Sequence, residues 1–179
     1  MRLRKQDLPL PQVSGSFDDS REILLTSMKL RAISECDEDA LHPLLEDFVS
    51  SHGTLPFRPD YWTSFKIWMK DILSTDEVLT LLAESNGKAV GFAVASVQQN
   101  GPLLTPDRIG YVSLVVVGSR SRRNGVGRGL WNGIREWFVS KGITEVQLYT
   151  EFGNEDSSAF WGHLGFVPYL DRRRISLRK

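Results

Sequence analysis

The spacing of apolar residues changes period several times along the chain, and each change marks a predicted element. Met28 to Ser34 alternates enough for a first strand. Asp37, Glu38 and Asp39 then place acids at a helix start. Ala40, Leu41, Leu44, Leu45 and Phe48 recur at helical spacing until Ser51-His52-Gly53 ends the run. A second helix is predicted over Pro59 to Leu73, because proline suits a first helical position and Trp62, Phe65, Trp68, Met69 and Ile72 share a face. Val78 to Ala83 and Ala89 to Val97 flank Glu84-Ser85-Asn86-Gly87-Lys88, where Asn86-Gly87 between apolar runs predicts a hairpin. Gln98 to Arg108, with Gly101, Pro102 and Pro106, reads as a loop. Tyr111 to Val117 is an apolar strand that runs through a glycine-punctuated turn into a helix, and Glu145 to Thr150 is strand-like again. Asn154 to Leu164 follows at helical spacing, and Gly165-Phe166 reads as a helix stop and the start of a terminal hairpin. Its last strand alternates: Arg173, Ile175 and Leu177 share one face, and Arg172, Arg174, Ser176 and Arg178 the other. Strands and helices in this order predict a mixed α/β sheet.

Composition narrows the class. The 179 residues suit one core, 41% of them are hydrophobic, and no apolar run is long enough to span a bilayer, so no membrane partner is expected. Residues 1–27 read as an N-terminal extension ahead of one domain at 28–179. The extension is polar and turn-rich, with Pro9, Pro11 and Gly15, and is either disordered or packed on a neighbour such as the second copy of a homodimer. Lys+Arg and Asp+Glu are both 22, so nothing global calls for nucleic acid. Cys36 is the single cysteine, which excludes an internal disulfide and a multi-cysteine zinc site; no metal is expected. With no secretory signal pattern at the N-terminus, a cytoplasmic location is the expectation.

Basic character is instead local, and the turn after Val117 concentrates it. A buried strand that stops at small residues leaves the first N–H groups of the next helix unpaired and converging, where the helix dipole favours negative charge. Gly125 and Gly127 admit close approach of the backbone to a phosphate, and Arg122, Arg123 and Arg128 supply charge. Gly125-Val126-Gly127-Arg128-Gly129 does not fit a dinucleotide fingerprint, since the third glycine is misplaced, and no Gly-Lys-Ser/Thr marks a nucleoside-triphosphate loop. An ordinary glycine-containing turn with solvated arginines explains this segment as well, taken alone.

The segment Asn154 to Phe166 changes the weighing. Arg122-x-x-Gly125-x-Gly127, followed by Asn154-x-x-Ser157-x-x-Phe160-Trp161-x-x-x-Gly165-Phe166, resembles the two cofactor motifs of the GNAT superfamily of N-acetyltransferases, in the same order and at a compatible spacing. The resemblance covers roughly residues 28–179. It implies a mixed, mostly antiparallel sheet of about six to seven strands, helices on both faces, and a splayed strand pair forming a slot for acetyl-CoA. It further implies that backbone groups of Val115, Val116 and Val117 hydrogen-bond the pantetheine arm. The pyrophosphate would lie on the N–H groups of Arg123, Asn124, Gly125, Val126, Gly127 and Arg128. Asn154 would contact the arm, with Ser157, Phe160 and Trp161 along the opposite wall, although Phe160 and Trp161 also read as core aromatics.

The chemistry departs from the commoner pattern of that superfamily. Trp161 stands where many relatives carry a tyrosine that protonates the departing thiolate, and indole N–H is far too weak an acid for that role. Tyr111 stands where many carry a glutamate base. Three readings stay open: Glu151 draws the amine proton through water while Tyr111 or Tyr149 acts as acid; proximity does most of the work; or the domain binds acyl-CoA without turnover. The acceptor implied is an amine of a small molecule or protein, with Trp62, Trp68 and Tyr61 able to line an apolar pocket and Glu46, Asp47 and Glu151 able to attract a cation. A basic-edge module for an acidic partner, using Arg172 to Lys179, is a separate alternative.

Overall fold

A computed structural model describes residues 28–52 and 56–177; the extension at 1–27, residues 53–55 and the last two residues lie outside that range. The first strand, β1 (Met28–Ala32), leads through a 3-10 turn (Glu35–Asp37) into α1 (Glu38–Ser51) and α2 (Tyr61–Leu73). The expected hairpin follows as β2 (Val78–Ser85) and β3 (Lys88–Gln99), with Asn86 and Gly87 both at positive φ as a tight turn of that type requires. Then come β4 (Arg108–Val117), a short 3-10 turn (Ser119–Ser121), α3 (Val126–Ser140), β5 (Val146–Leu148) and α4 (Glu155–His163). The sheet order is β1-β2-β3-β4-β5, antiparallel except for the parallel β4/β5 pair.

Alternation in β3 separates two cores. Phe92 and Val94 face α1 and α2, where they pack with Leu41, Leu44, Leu45, Phe65 and Met69. Ala93 and Ala95 face the other way and, with Ala83, leave room for α3 to set Leu130, Trp131, Ile134 and Phe138 onto the sheet. Small residues opposite large ones keep both layers closely packed. The helix stripe predicted from Trp62, Phe65, Trp68, Met69 and Ile72 is accordingly core or core-flanking.

One irregularity in β4 determines the shape of the site. Val94 pairs with Leu114 but Ala95 pairs with Val112, so Ser113 is an extra residue on β4. Val112 and Val116 lie four apart and would share a face of a regular strand. They are buried in opposite cores, Val112 beneath α3 and Val116 beneath α1, because the bulge reverses the alternation.

The sheet is smaller than the six to seven strands expected. Among the described residues it has five, and residues 164–177 form no helix or strand. Val167, Tyr169, Leu170, Ile175 and Leu177 are exposed. Alternation makes a strand only where a neighbour offers a ladder, and β5 has just three strand residues, all of them paired with β4.

An ion-pair cluster ties β1 to the start of α1. Asp37 is buried, accepts Arg31 Nη1 and Nη2 at 2.8 and 2.7 Å, and accepts the Ser34 N–H and Oγ at 2.8 and 2.9 Å; Glu84 takes a further bond from Arg31 at 2.8 Å. The Arg31 bonds, assisted by Ser34 and opposed by burial, hold the Asp37 carboxyl far below the ordinary carboxylate range. A group whose folded pKa is depressed adds stability above its unfolded pKa and loses it as pH falls toward the folded value. Asp37→Asn is therefore expected to lower the urea midpoint by a constant amount at pH 5–8. The gap should narrow only below about pH 4, the unfolded aspartate value; a gap already closing at pH 6 would contradict this assignment.

Candidate functional site

Below the bulge, β4 and β5 are neighbours: Gly110, Tyr111 and Val112 pair with Val146, Gln147 and Leu148. Beyond Val112 that pairing stops, while β4 continues to Val117 with β3 still on its other side. The edge of Val115–Val117 that faces away from β3 is thus open, the kind of edge an extended ligand can join. Their side chains are used elsewhere. Val115 and Val117 pack beneath α3 and Val116 beneath α1, leaving backbone groups as what this stretch presents.

The open edge leads to the cationic turn. Gly125 caps α3 with φ +80° and ψ −4°, and the first helical bond runs from Gly129 N–H to Gly125 C=O at 2.9 Å. The N–H groups of Val126, Gly127 and Arg128 are therefore the unpaired first turn, and no side chain caps them. Arg123 also holds a left-handed backbone, φ +64°, which is uncommon outside glycine and asparagine and turns the chain into the cap. Val126 is buried against the α3-side core, Asn124 is half-buried and Arg128 is exposed. Arg122 Nε donates to the Val117 carbonyl at 3.3 Å, and Arg123 Nη2 meets Asp156 Oδ1 at 2.5 Å, a fully exposed pair that links this turn to the start of α4.

Gly127 has a second use that its place in the motif does not reveal. A Cβ there would lie 3.1 Å from Phe160 Cζ and 3.7 Å from Val117 Cγ2. The Phe160 ring fills the notch, so α4 closes on the start of α3 through this glycine. Asn154 caps α4, its side-chain oxygen accepting the Ser157 N–H at 2.9 Å, which leaves the amide N–H groups available. Trp161, one residue after Phe160, is buried in the α3-side core, edge-on to Trp131 at 5.9 Å and Phe166 at 5.1 Å.

The titratable candidates gather where β4 and β5 part. Tyr111 and Tyr149 meet edge-on at 5.7 Å between centroids, and Arg172 lies over the Tyr149 ring at 5.0 Å. Burial, followed by the neighbouring Tyr149 and opposed by Arg172, pushes the Tyr111 hydroxyl up, so it stays protonated at neutral pH. Glu151, three residues past β5, has a buried Oε1 with no hydrogen-bond partner. Glu151, Tyr149 and Arg172 all border a cleft of about 1710 Å³ between β5, α4 and the C-terminal segment. Arg172 is the contribution that sequence spacing missed, since nothing local connects it to Tyr149.

Other candidates fall elsewhere. Trp62 stacks on His42 at 4.4 Å and lines a separate concavity of about 340 Å³ with Glu38 and Lys66, whose charges are 3.5 Å apart. Tyr61 and Trp68 pack against the α1/α2 core. Asp47 is engaged with the backbone, accepting the Ser119 N–H at 2.6 Å. Among the described residues, no helix is long and apolar enough to cross a membrane.

Comparison with known proteins bears on this geometry. The profile of the acetyltransferase (GNAT) family matches residues 39–166. The chain is 32% identical over 172 residues to a mycothiol acetyltransferase of Amycolatopsis mediterranei (strain U-32); the match covers 93% of this chain and 55% of that protein, so the chain spans about half the length of the curated relative. Among solved structures, the aminoglycoside 6'-N-acetyltransferase AAC(6')-IG from Acinetobacter haemolyticus superposes with a TM-score of 0.68 at 22% identity, covering 84% of this chain and 99% of the other. Aminoglycoside N-acetyltransferase AAC(6')-Iy, in complex with CoA, superposes with a TM-score of 0.65 at 23% identity, covering 85% and 94%. At these identities the structural matches establish a shared fold.

The left-handed cap gives a direct test of the turn. Gly125→Ala is expected to lose about 1–2 kcal/mol of stability, the cost of a Cβ in that backbone region. Gly125→Asn should lose clearly less, because asparagine tolerates it. Urea unfolding of the two variants distinguishes this from a turn that relaxes freely, for which both losses would be equal.

Proposed function

The chain belongs to the acetyltransferase (GNAT) family, and from this premise we propose that it is an acetyl-CoA-dependent N-acetyltransferase acting directly on the primary amine of a small molecule. The observation that carries the reading is the parting of β4 from β5 after Val112 and the run of the open edge into the uncapped start of α3. An extended arm with a diphosphate at one end matches that pair of features: amide-like groups for the backbone of Val115–Val117, and negative charge for the N–H groups of Arg123–Arg128. Coenzyme A has this form, and its acetyl thioester supplies the activated acyl group.

The chain's own residues then have separable tasks. Val115 and Val117 turn their backbone groups to the open edge and hold the arm, while Val116 between them turns its carbonyl to β3, and all three side chains serve the cores. Arg122, Arg123 and Arg128 add charge around the anion, with Arg123 exchanging its exposed bond to Asp156 for the ligand; such exposed pairs contribute little on their own. Asn154 offers its amide N–H groups to the arm, and Ser157, Phe160 and Trp161 belong to the wall that keeps α4 against α3, Trp161 through the core. Glu151 accepts the proton of the acceptor ammonium, directly or through water. A buried carboxylate oxygen with no partner is a group that a donor would satisfy. Tyr111, kept protonated by burial, serves as the proton donor, with Tyr149 beside it and Arg172 over Tyr149 opposing the burial effect.

A small-molecule acceptor is favoured over a protein because the relatives at hand are named for mycothiol and for aminoglycosides, and because the cleft bordered by Glu151 is roomy and partly polar. Its width suits a polyhydroxylated amine better than a compact one. The alternative reading, an acyl-CoA-binding module without turnover, rests on the burial of Trp161 in the core, which removes the usual acid.

A panel of small-molecule amines with acetyl-CoA, followed by free-thiol release, tests the proposal. Turnover with at least one amine above the background rate of thioester hydrolysis is expected, and coenzyme A binding with none supports the alternative. With an active amine, Glu151→Gln is expected to reduce kcat by about 10²–10⁴-fold and to remove the acidic limb of the pH profile, with the KM for acetyl-CoA unchanged. An unaltered pH profile would take Glu151 out of the mechanism.

A further inference from the structure

The turn between β4 and α3 rests on a helix that belongs to neither cofactor motif. Gly118 N–H bonds the Val90 carbonyl at 3.0 Å, and a Cβ on Gly118 would sit 3.0 Å from Leu44 Cδ2, so α1 packs directly beneath the turn. One helical turn along α1, Asp47 Oδ2 accepts the Ser119 N–H at 2.6 Å and lies 3.9 Å from Arg122 Nη2. Arg122 Nε is meanwhile on the Val117 carbonyl at 3.3 Å. A single carboxylate from α1 thereby touches both ends of the segment Ser119–Arg122, from a position 72 residues before Ser119.

We propose that Asp47 is a positioning residue for coenzyme A, holding the Ser119–Arg122 turn in its ligand-binding shape and keeping the Arg122 guanidinium at the open end of β4. This rests on the reading of the N–H groups that follow directly, Arg123 to Arg128, as the seat of the cofactor's pyrophosphate. Arg122 has five N–H donors; with Nε on Val117 and one terminal nitrogen toward Asp47, the others remain free for an anion, and its side chain is 48% exposed. Without the acid, the Ser119 N–H loses its acceptor and the long Arg122 side chain regains its rotamers, so each must be ordered again when the anion binds.

The sign of the effect makes the idea testable. A carboxylate beside an anion seat repels the ligand, so by charge alone its removal tightens binding. Positioning demands the reverse. Coenzyme A binding is measured by calorimetry on the full chain, with kcat and the KM for acetyl-CoA taken against an active amine. Asp47→Ala is expected to weaken coenzyme A by about tenfold, the scale of one charge-assisted hydrogen bond, and to raise KM while leaving kcat at saturation. Asp47→Asn, whose amide oxygen still accepts the Ser119 N–H, should recover most of the loss. Ser119→Pro removes the donor instead of the acceptor, at the first position of a 3-10 turn where proline fits, and should weaken binding in the same way. It also serves where Asp47→Ala does not fold. Folded Asp47→Ala or Ser119→Pro protein that binds coenzyme A as well as or better than wild type overturns the proposal. Wild-type protein that does not bind coenzyme A at all overturns the cofactor reading beneath it, a failure distinct from the first.

Discussion

The extra residue at Ser113 is the constraint on which the rest depends. A bulge reverses the in-and-out alternation of β4 and deepens its twist, and here it stands where the pairing with β5 ends. One residue therefore has two consequences. Above it, Val115 and Val117 can pack beneath α3 although Val112 does so below it, and the strand edge they carry is left without a neighbour. A regular strand in this place would send Val116 into the wrong core and continue the ladder to β5, closing the stretch of sheet edge that leads to the start of α3.

Both faces of the sheet serve that opening in different ways. On the α3 side, Ala83, Ala93 and Ala95 let the helix approach closely, which fixes where its unpaired first turn stands relative to Val117. Gly127 continues the theme by receiving Phe160, so the start of α3 and the wall of α4 are joined through a missing side chain. On the opposite side, α1 meets the turn at Gly118 and Ser119 through Leu44 and Asp47. The cationic turn is thus braced from two helices as well as from its own strand, and its geometry is a property of the packed domain.

Electrostatic conditions at the junction of β4 and β5 differ from those at the turn. The turn is exposed and cationic, suited to a charged group that stays partly in water. Tyr111, by contrast, sits where burial dominates and raises its pKa, while Glu151 presents a carboxylate oxygen that is shut off from water and from other donors. The two groups thus stand in different environments, one a raised phenol and the other a carboxylate oxygen without a donor. Trp161 packs in the core alongside Trp131 and Phe166, so its indole serves packing.

Much of this was legible along the chain. Periodicity located α1, α2, α4 and the hairpin to within a few residues, because those elements depend on local spacing, capping acids and the Asn86-Gly87 turn. The two motifs that resemble those of the family were legible for the same reason, being contiguous runs at 122–128 and 154–166. What tertiary structure alone decided are matters of partnership. Alternation at 172–178 suggested a last strand, yet a strand needs a paired neighbour and the described part of that segment has none; it borders the cleft, and Arg172 reaches Tyr149. Asp47 looked like a surface acid able to draw a cation, and only the folding of α1 against Gly118 sets it on Ser119, 72 positions away. Sequence by itself determines what a short stretch prefers to be; which stretch it meets is decided by the packing of the two cores across the sheet, and no local pattern encodes that.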